Sequence, residues 1–139
     1  MAELVIRELR DDERAWANDL YRAIQFAATP DGSLAMVAER GGARIGLGRL
    51  VAHAPGVVEM GGIWTDEAAR GGGVARAMVT ALLARAGGEP LWCIPFAHLT
   101  AFYRSFGFAL APPPWPSAIA DKVADIAAHG LPAIDVLVR

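Results

Sequence analysis

The sequence predicts a mixed α/β fold built on one mostly antiparallel sheet, and two patterns along the chain carry that prediction. Extended stretches joined by glycine turns occupy much of the chain up to residue 65, which is typical of antiparallel strands. From residue 72 onward, helical stretches alternate with short extended ones. The order of elements therefore favours a sheet that starts antiparallel and continues as strand, helix, strand, helix.

The first predicted elements are a strand and a helix. Residues 4–9 combine aliphatic and β-branched side chains, so we expect a short strand there. Asp11 can then cap a helix in which Trp16, Leu20 and Ile24 recur every four residues. That spacing places the three side chains on one face, which we expect the protein to bury.

A β-hairpin and a further strand are predicted next. Residues 34–40 and 43–51 are extended stretches linked by glycines at 41–42, which readily adopt the positive φ angles of a tight turn. Another strand is predicted over residues 57–65. The two glycines at 61–62 inside it suggest a bulge or a close backbone approach.

The second half of the chain predicts three helices and two strands. The helices are expected over residues 72–86, 98–105 and 117–129, and the strands over residues 90–94 and 134–138. The first of these helices ends at a pair of glycines, which commonly terminate helices.

Length and composition predict a single domain over residues 1–139, because 54% hydrophobic residues are enough for one core. No apolar run approaches the roughly 20 residues of a membrane-spanning helix, so no membrane partner is expected. The N-terminal stretch carries Glu3 and Glu8 and lacks the basic and apolar parts of a secretory signal. The expected location is therefore cytoplasmic.

Charge and metal-ligand content argue against two classes of function. The chain has one cysteine, Cys93, and three histidines without metal-ligand spacing, so no metal is expected. The 13 basic and 15 acidic residues give a formal charge of -2 and form no basic stripe. Nucleic acid is therefore not an expected partner.

The most informative stretch is a glycine-rich turn that leads from the strand at 57–65 into the helix at 72–86. The first N–H groups of a helix have no intrahelical partner, and glycines let an anion approach the backbone closely. Arg70 and Arg76 bracket the turn and add positive charge. The pattern predicts a binding site for a diphosphate group.

Two common phosphate-binding patterns do not fit this turn. A P-loop requires Lys followed by Ser or Thr after the last glycine, and Val74 and Ala75 stand there instead. A dinucleotide fold places its glycine turn after the first strand of a parallel series, whereas several antiparallel strands precede this one. Nucleoside triphosphates and hydride-transfer cofactors are therefore disfavoured.

Two motifs resemble the GNAT superfamily of N-acetyltransferases. The stretch Arg70-x-x-Gly73-x-Ala75 matches the family's motif A, which reads Gln or Arg, two residues, Gly, one residue, then Gly or Ala. About 30 residues later, the segment 101–108 is similar to the family's tyrosine helix and the Gly-Phe that follows it. The resemblance covers roughly residues 57–109. One departure is Phe96, which stands where an asparagine often precedes the tyrosine helix.

The resemblance implies the family's fold, in which a mixed, mostly antiparallel sheet splays at the cofactor site and helices cover both faces. It implies acetyl-coenzyme A as the cosubstrate, with the pantetheine arm paired to the backbone of Ile63, Trp64 and Thr65. The pyrophosphate would bind the glycine turn, at Arg70, Gly71, Gly72, Gly73, Val74, Ala75 and Arg76.

The resemblance also implies catalytic residues. Tyr103 corresponds to the family's general acid, which protonates the departing coenzyme A thiolate, and a phenol is protonated at neutral pH. Glu59, on the strand before motif A, is the candidate general base. His53, His98 and Asp66 are the alternative bases.

The predicted function is transfer of an acetyl group from acetyl-coenzyme A to the amine of a small molecule by direct attack. Two alternatives stay open: a non-catalytic module that binds or senses acyl-coenzyme A, and an acetyltransferase acting on protein N-termini or lysines. A thiol-release assay over a panel of amines separates the first alternative from an enzyme. The acceptor is not readable from the sequence, nor is the oligomeric state, for which a homodimer is one candidate.

Overall fold

The computed structural model describes residues 2–139, which form one seven-stranded sheet and four helices. The strands are β1 (Leu4–Glu8), β2 (Leu34–Arg40), β3 (Ala43–Ala54), β4 (Val57–Thr65), β5 (Leu91–Cys93), β6 (Ala109–Leu110) and β7 (Leu137–Val138). The helices are α1 (Arg14–Ala23), α2 (Val74–Arg85), α3 (Thr100–Arg104) and α4 (Ser117–Ala128).

The strand order in the sheet is β1-β2-β3-β4-β5-β7-β6. The pairs β1–β2, β2–β3, β5–β7 and β6–β7 are antiparallel, and β4 pairs with β5 in parallel. A mixed, mostly antiparallel sheet was predicted from the sequence, and the structure confirms it. The chain divides into two compact units, one made of the residues up to 51 with 62–87, the other of residues 52–61 and 88–139.

The first unit has a core in which α1 packs on the hairpin strands. The fully buried members of one cluster are Ala17, Tyr21, Val37 and Leu47, and the partly buried side chains around it are Leu9, Trp16, Leu20, Phe26 and Trp64. Trp16 and Trp64 meet edge to face with ring centroids 6.3 Å apart. Aromatic pairs of this kind add to the stabilisation from apolar burial.

Helix α1 differs from the prediction at its start and on its buried face. Asp11 opens a 3-10 turn instead of capping the helix, and Glu13 Oε1 accepts the hydrogen bond of the Arg10 backbone N–H at 2.9 Å. The buried positions are Ala17 and Tyr21, while Ile24 is 39% exposed. The predicted face therefore holds for Trp16 and Leu20, which are partly buried against the core, and fails at Ile24. The four-residue spacing did not mark Ala17 and Tyr21 as the buried positions.

The hairpin and strand β4 agree with the sequence prediction. Gly41 and Gly42 have φ angles of +59° and +80°, so the turn between β2 and β3 uses two residues in the left-handed region. In β4, Gly62 has φ +59°. Its carbonyl oxygen accepts a 2.8 Å hydrogen bond from the buried Tyr21 hydroxyl. The predicted irregularity in β4 is therefore a left-handed residue held by α1.

The second unit is built around the short strand β5. Residues 58–60 of β4 pair with Leu91–Cys93, which in turn pairs with β7. Helix α4 contributes the fully buried Ile119. The predicted closing strand over residues 134–138 is shorter than expected, since Ile134 makes only an isolated bridge to Phe96 and regular pairing is confined to Leu137–Val138.

Candidate functional site

The outer part of β4 offers backbone groups to a ligand. The register between β4 and β5 covers only Val58, Glu59 and Met60, so residues 61–65 have no partner in β5. Ile63, Trp64 and Thr65 are half-buried there. An extended chain can pair with unpaired strand backbone, since each residue presents one donor and one acceptor. These are the three residues at which the resemblance described above implies pairing with the pantetheine arm.

The glycine turn before α2 leaves open space next to its backbone. Gly71 and Gly73 have φ angles of +81° and +84°, and a Cβ placed on either residue would meet no atom within 4 Å. Only glycine adopts this backbone conformation without strain. An anion could therefore approach the main chain at both positions.

Helix α2 begins at Val74, two residues later than predicted, because the left-handed Gly73 precedes it as the N-cap. No side chain caps this N-terminus. The first N–H groups of the helix therefore point outward with the positive end of the helix dipole behind them. Buried Val74 and Met78 hold the helix in the core of its unit. The turn thus has a fixed position while its donors face solvent.

Two arginines carry positive charge at this turn. Arg70 and Arg76 are both exposed, and Arg70 Nε donates a hydrogen bond to the Thr65 carbonyl oxygen at 3.3 Å. That bond connects the end of β4 to the turn. Backbone donors, the helix dipole and arginine side chains together suit a diphosphate group better than a neutral ligand.

Glu59 lies in a buried ionic cluster in the second unit. Its side chain is 3% exposed, Lys122 Nζ lies 2.7 Å and 2.6 Å from its two carboxylate oxygens, and His53 Nε2 lies 2.8 Å from Oε1. Burial raises the pKa of Glu59, but the hydrogen bond from His53 and the charge of Lys122 outweigh it and hold the pKa below its ordinary value. Glu59 is therefore a carboxylate at neutral pH.

Tyr103 lies in an aromatic environment on α3. Its side chain meets Phe102 and Phe108 edge to face, with ring centroids 5.0 Å and 6.3 Å away. The residue is 6% exposed, and burial, with a smaller contribution from Cys93, raises its pKa above that of an ordinary tyrosine. The phenol keeps its proton at neutral pH and can therefore serve as a general acid.

Comparison with known proteins decides the family. Residues 2–108, most of the chain, match the family model described as Acetyltransferase (GNAT) family. This chain belongs to the GNAT family of acetyltransferases. The resemblance inferred from motif A and the tyrosine segment is confirmed, and so is the fold class.

Solved structures with the same GNAT fold match over the whole chain. ElaA of Escherichia coli has a TM-score of 0.72 at 16% identity, covering 100% of this chain and 99% of that one. An acyl-CoA N-acyltransferase from Pseudomonas aeruginosa has a TM-score of 0.71 at 18% identity, with coverage of 100% and 99%. N-acetylglutamate synthase from Neisseria gonorrhoeae, complexed with coenzyme A and N-acetyl-glutamate, has a TM-score of 0.73 at 18% identity. This chain corresponds to 35% of that synthase.

No protein in the comparison with curated sequences matches this chain. These three structures are less than 25% identical to this chain, so the similarity shows the GNAT fold alone. Among residues 2–139, no three His, Cys, Asp or Glu side chains gather into a group that would hold a metal ion. In the same stretch, no helix combines the length and apolar character needed to cross a bilayer.

The three alternative bases, His53, His98 and Asp66, lie in different surroundings, and one of them contacts Phe96, the residue that departs from the family pattern. His98 stacks on Phe96 with ring centroids 6.2 Å apart and planes 7° apart. Asp66 follows β4 and its backbone N–H donates to the Ile45 carbonyl oxygen at 2.8 Å. Of the three alternatives, His53 alone contacts Glu59 among the described residues.

Sequence reasoning missed two features of this GNAT protein. Lys122, the only lysine of the chain, pairs with Glu59 although the two are 63 positions apart. Arg49 is a buried cation whose guanidinium lies 4.1 Å above the Tyr21 ring and donates to the Thr29 hydroxyl at 2.8 Å. Its signal in the sequence was a single charge within the otherwise apolar stretch of residues 45–52. Lys122 offered no local signal, because it sits on a helix with other charged residues.

Proposed function

We propose that this protein transfers an acetyl group from acetyl-coenzyme A to the amine of a small molecule. Membership of the GNAT family supports acyl transfer, and the uncapped start of α2 behind open glycines supports a coenzyme A ligand. The start of α2 carries most weight, because a glycine turn at a helix N-terminus is a binding site for phosphate groups such as the diphosphate of coenzyme A. Coenzyme A in the complex of the gonococcal synthase is consistent with this choice.

The cosubstrate would be held mainly by backbone. In the proposal, the pantetheine arm pairs with the main chain of Ile63, Trp64 and Thr65, like an added strand. The diphosphate receives hydrogen bonds from the N–H groups of the turn and the first helical residues, and charge from Arg70 and Arg76. The site residues of the turn are Arg70, Gly71, Gly72, Gly73, Val74, Ala75 and Arg76.

Direct transfer needs a neutral amine, an oriented thioester carbonyl and a proton for the leaving sulfur. The amine lone pair bonds to the carbonyl carbon, and the carbon–sulfur bond breaks with its electron pair going to sulfur. Tyr103 gives its phenolic proton to that thiolate, since its raised pKa keeps it protonated until then. Glu59 assists the other proton transfer of the reaction, in which the amine loses a proton. We further propose that the reaction takes place in the cytoplasm.

Calorimetry and thiol release test the proposal together. Purified protein should bind acetyl-coenzyme A, and a panel of small amines should include at least one that raises the rate of free thiol release. Binding without amine-dependent release would favour a non-catalytic acyl-coenzyme A module. Release with peptide amines alone would favour a protein acetyltransferase. A folded protein that binds no acetyl-coenzyme A would overturn the proposal.

A glycine substitution tests the binding turn itself. Gly73→Ala places a methyl group in the open space assigned to the diphosphate, and should weaken acetyl-coenzyme A binding about 10-fold, the loss of one charge-assisted hydrogen bond. Gly56→Ala is the matched control, because Gly56 has φ +75° and likewise no atom within 4 Å of a Cβ. Both variants carry similar backbone strain. Equal affinities of the two variants for acetyl-coenzyme A would show that the turn is not part of the binding site.

A further inference from the structure

Both oxygens of the Glu59 carboxylate are hydrogen-bonded by neighbouring side chains. Lys122 Nζ lies 2.7 Å and 2.6 Å from its two oxygens, and His53 Nε2 lies 2.8 Å from Oε1. The side chain is 3% exposed, whereas that of His53 is 19% exposed. An amine that lost its proton directly to Glu59 would have to reach this buried carboxylate past Lys122 and His53. The imidazole is more accessible than the carboxylate.

Contact with Glu59 decides which nitrogen of His53 carries the proton. A carboxylate only accepts hydrogen bonds, so Nε2 of His53 must be the N–H that donates to Oε1. In the neutral ring, Nδ1 is then the nitrogen with the free lone pair. No hydrogen bond to Nδ1 is present within residues 2–139. His53 therefore presents one basic nitrogen, in a fixed tautomer, on a partly exposed ring.

We propose that Nδ1 of His53 accepts the proton of the acceptor amine, and that Glu59 is a positioning residue that holds the imidazole in the required tautomer. This inference rests on the function proposed above and specifies the proton acceptor at that site. Lys122 keeps Glu59 as a carboxylate, so that the hydrogen bond from Nε2 persists. A carboxylate that orients an imidazole in this way is a recurrent arrangement for general bases.

The proton balance is closed within the reaction. As the nitrogen–carbon bond forms, the nitrogen loses one proton to Nδ1 of His53, and Oε1 of Glu59 stabilises the resulting imidazolium through Nε2–H. The sulfur takes one proton from Tyr103. Solvent then removes the proton from His53 and returns one to the Tyr103 phenolate, so the enzyme regains its starting state with the amide and the free thiol as products.

The other titratable groups around Glu59 do not compete for this role. Burial, and to a smaller extent Glu59, raises the pKa of the Cys93 thiol, so Cys93 stays protonated. Tyr103 also keeps its proton at neutral pH because its pKa is raised. Lys122 is a cation paired with Glu59. His53 is therefore the one group of this cluster that offers a lone pair to an incoming amine.

Substitution of His53 tests the inference with the amine found in the thiol-release panel. His53→Gln should lower kcat by ~10²-fold, within the usual contribution of a general base, while the affinity for acetyl-coenzyme A stays within a factor of about two. His53→Ala should show the same loss, and added imidazole should restore part of kcat. His129→Gln is the matched control, because His129 is exposed at the end of α4 and lies outside the proposed site.

A spectroscopic measurement on the free protein tests the positioning role of Glu59. Long-range ¹H–¹⁵N spectra should show His53 with the proton on Nε2, the signals being assigned by their loss in His53→Gln. Glu59→Gln should produce a measurable share of the Nδ1–H tautomer and lower kcat about 10-fold, because an amide can donate as well as accept.

The possible failures are distinguishable. Normal kcat in His53→Gln, no rescue by imidazole, or the proton on Nδ1 in the wild-type spectrum would overturn the role of His53 and leave the proposed acetyl transfer standing. A wild-type protein that releases no thiol with any amine would overturn the proposed function, and this inference with it.

Discussion

Substitution of Gly62 by alanine should destabilise the protein strongly, because two independent costs meet at that residue. Gly62 has φ +59°, a conformation that costs an L-residue about 1–2 kcal/mol. A Cβ there would lie 2.8 Å from the Tyr21 hydroxyl and 2.9 Å from Arg49 Nε, both in a buried region. Forcing extra volume into such packing costs about 1–3 kcal/mol. Together the two costs should lower the free energy of unfolding by about 2–5 kcal/mol.

Urea unfolding followed by tryptophan fluorescence measures this free energy, and thermal unfolding should show Tm lowered by roughly 10 °C. Gly56→Ala is the control, because Gly56 has φ +75° but no atom within 4 Å of a Cβ. Gly56→Ala should lower the free energy of unfolding only by the cost of the left-handed backbone conformation, about 1–2 kcal/mol. Equal costs for Gly62→Ala and Gly56→Ala would refute the packing argument.

A second substitution isolates the contact with Tyr21. Tyr21→Phe removes the hydroxyl that the new methyl group would meet, together with its 2.8 Å hydrogen bond to the Gly62 carbonyl oxygen. Alone it should cost about 1 kcal/mol. Combined with Gly62→Ala, it should cost less than the sum of the two single changes, since the clash is then partly relieved. Strict additivity would mean that the methyl group is accommodated elsewhere.

Three further predictions concern other parts of the molecule. Glu13 is paired with Arg7 at 2.8 Å, and hydrogen bonds from Arg7 lower its pKa from 4.5 to about 2. Glu13→Gln should therefore lower the free energy of unfolding by about 2 kcal/mol at pH 7. In urea unfolding, the difference from wild type should shrink as the pH falls from 4.5 towards 2, because the carboxylate of the folded protein is then protonated as well. A difference that stays constant over this pH range would contradict the prediction. Tyr103→Phe should lower kcat by ~10²-fold with acetyl-coenzyme A affinity nearly kept, and unchanged kcat would remove Tyr103 from the mechanism. Ile119→Ala should lower the free energy of unfolding by about 2–4 kcal/mol through the cavity left under α4, and a cost below 1 kcal/mol would mean that the site collapses around the smaller side chain.

Local chemistry was enough to predict much of the backbone. Strand β4 occupies residues 57–65 as predicted, and the glycines at 41–42 form the predicted turn with positive φ angles. Each of these features depends on neighbouring residues, since β-branched side chains favour extension and glycine tolerates left-handed backbone. The glycine turn before α2 was predictable for the same reason.

The buried face of α1 and the full ionic cluster around Glu59 were not predictable in this way. The face of α1 was predicted from four-residue spacing, which found Trp16 and Leu20 but not the two buried positions, Ala17 and Tyr21. The Tyr21 hydroxyl is bonded to the Gly62 carbonyl oxygen, 41 positions along the chain, which no local pattern shows. His53 and Glu59 flank one short turn, so their proximity was within reach of sequence reasoning. The contact between Glu59 and Lys122 was not, because it joins a strand to a helix far along the chain.

By itself, the sequence determined the succession of strands and helices, the glycine turn and the family, because these are written in residues that are close together along the chain. Only the tertiary structure decided that Glu59 is buried and paired with Lys122, and that the His53 ring is more exposed than the Glu59 carboxylate. The physical reason is that burial and ion pairing depend on side chains that are far apart in the sequence. These contacts determine whether a carboxylate accepts a proton or instead holds a neighbouring side chain in place.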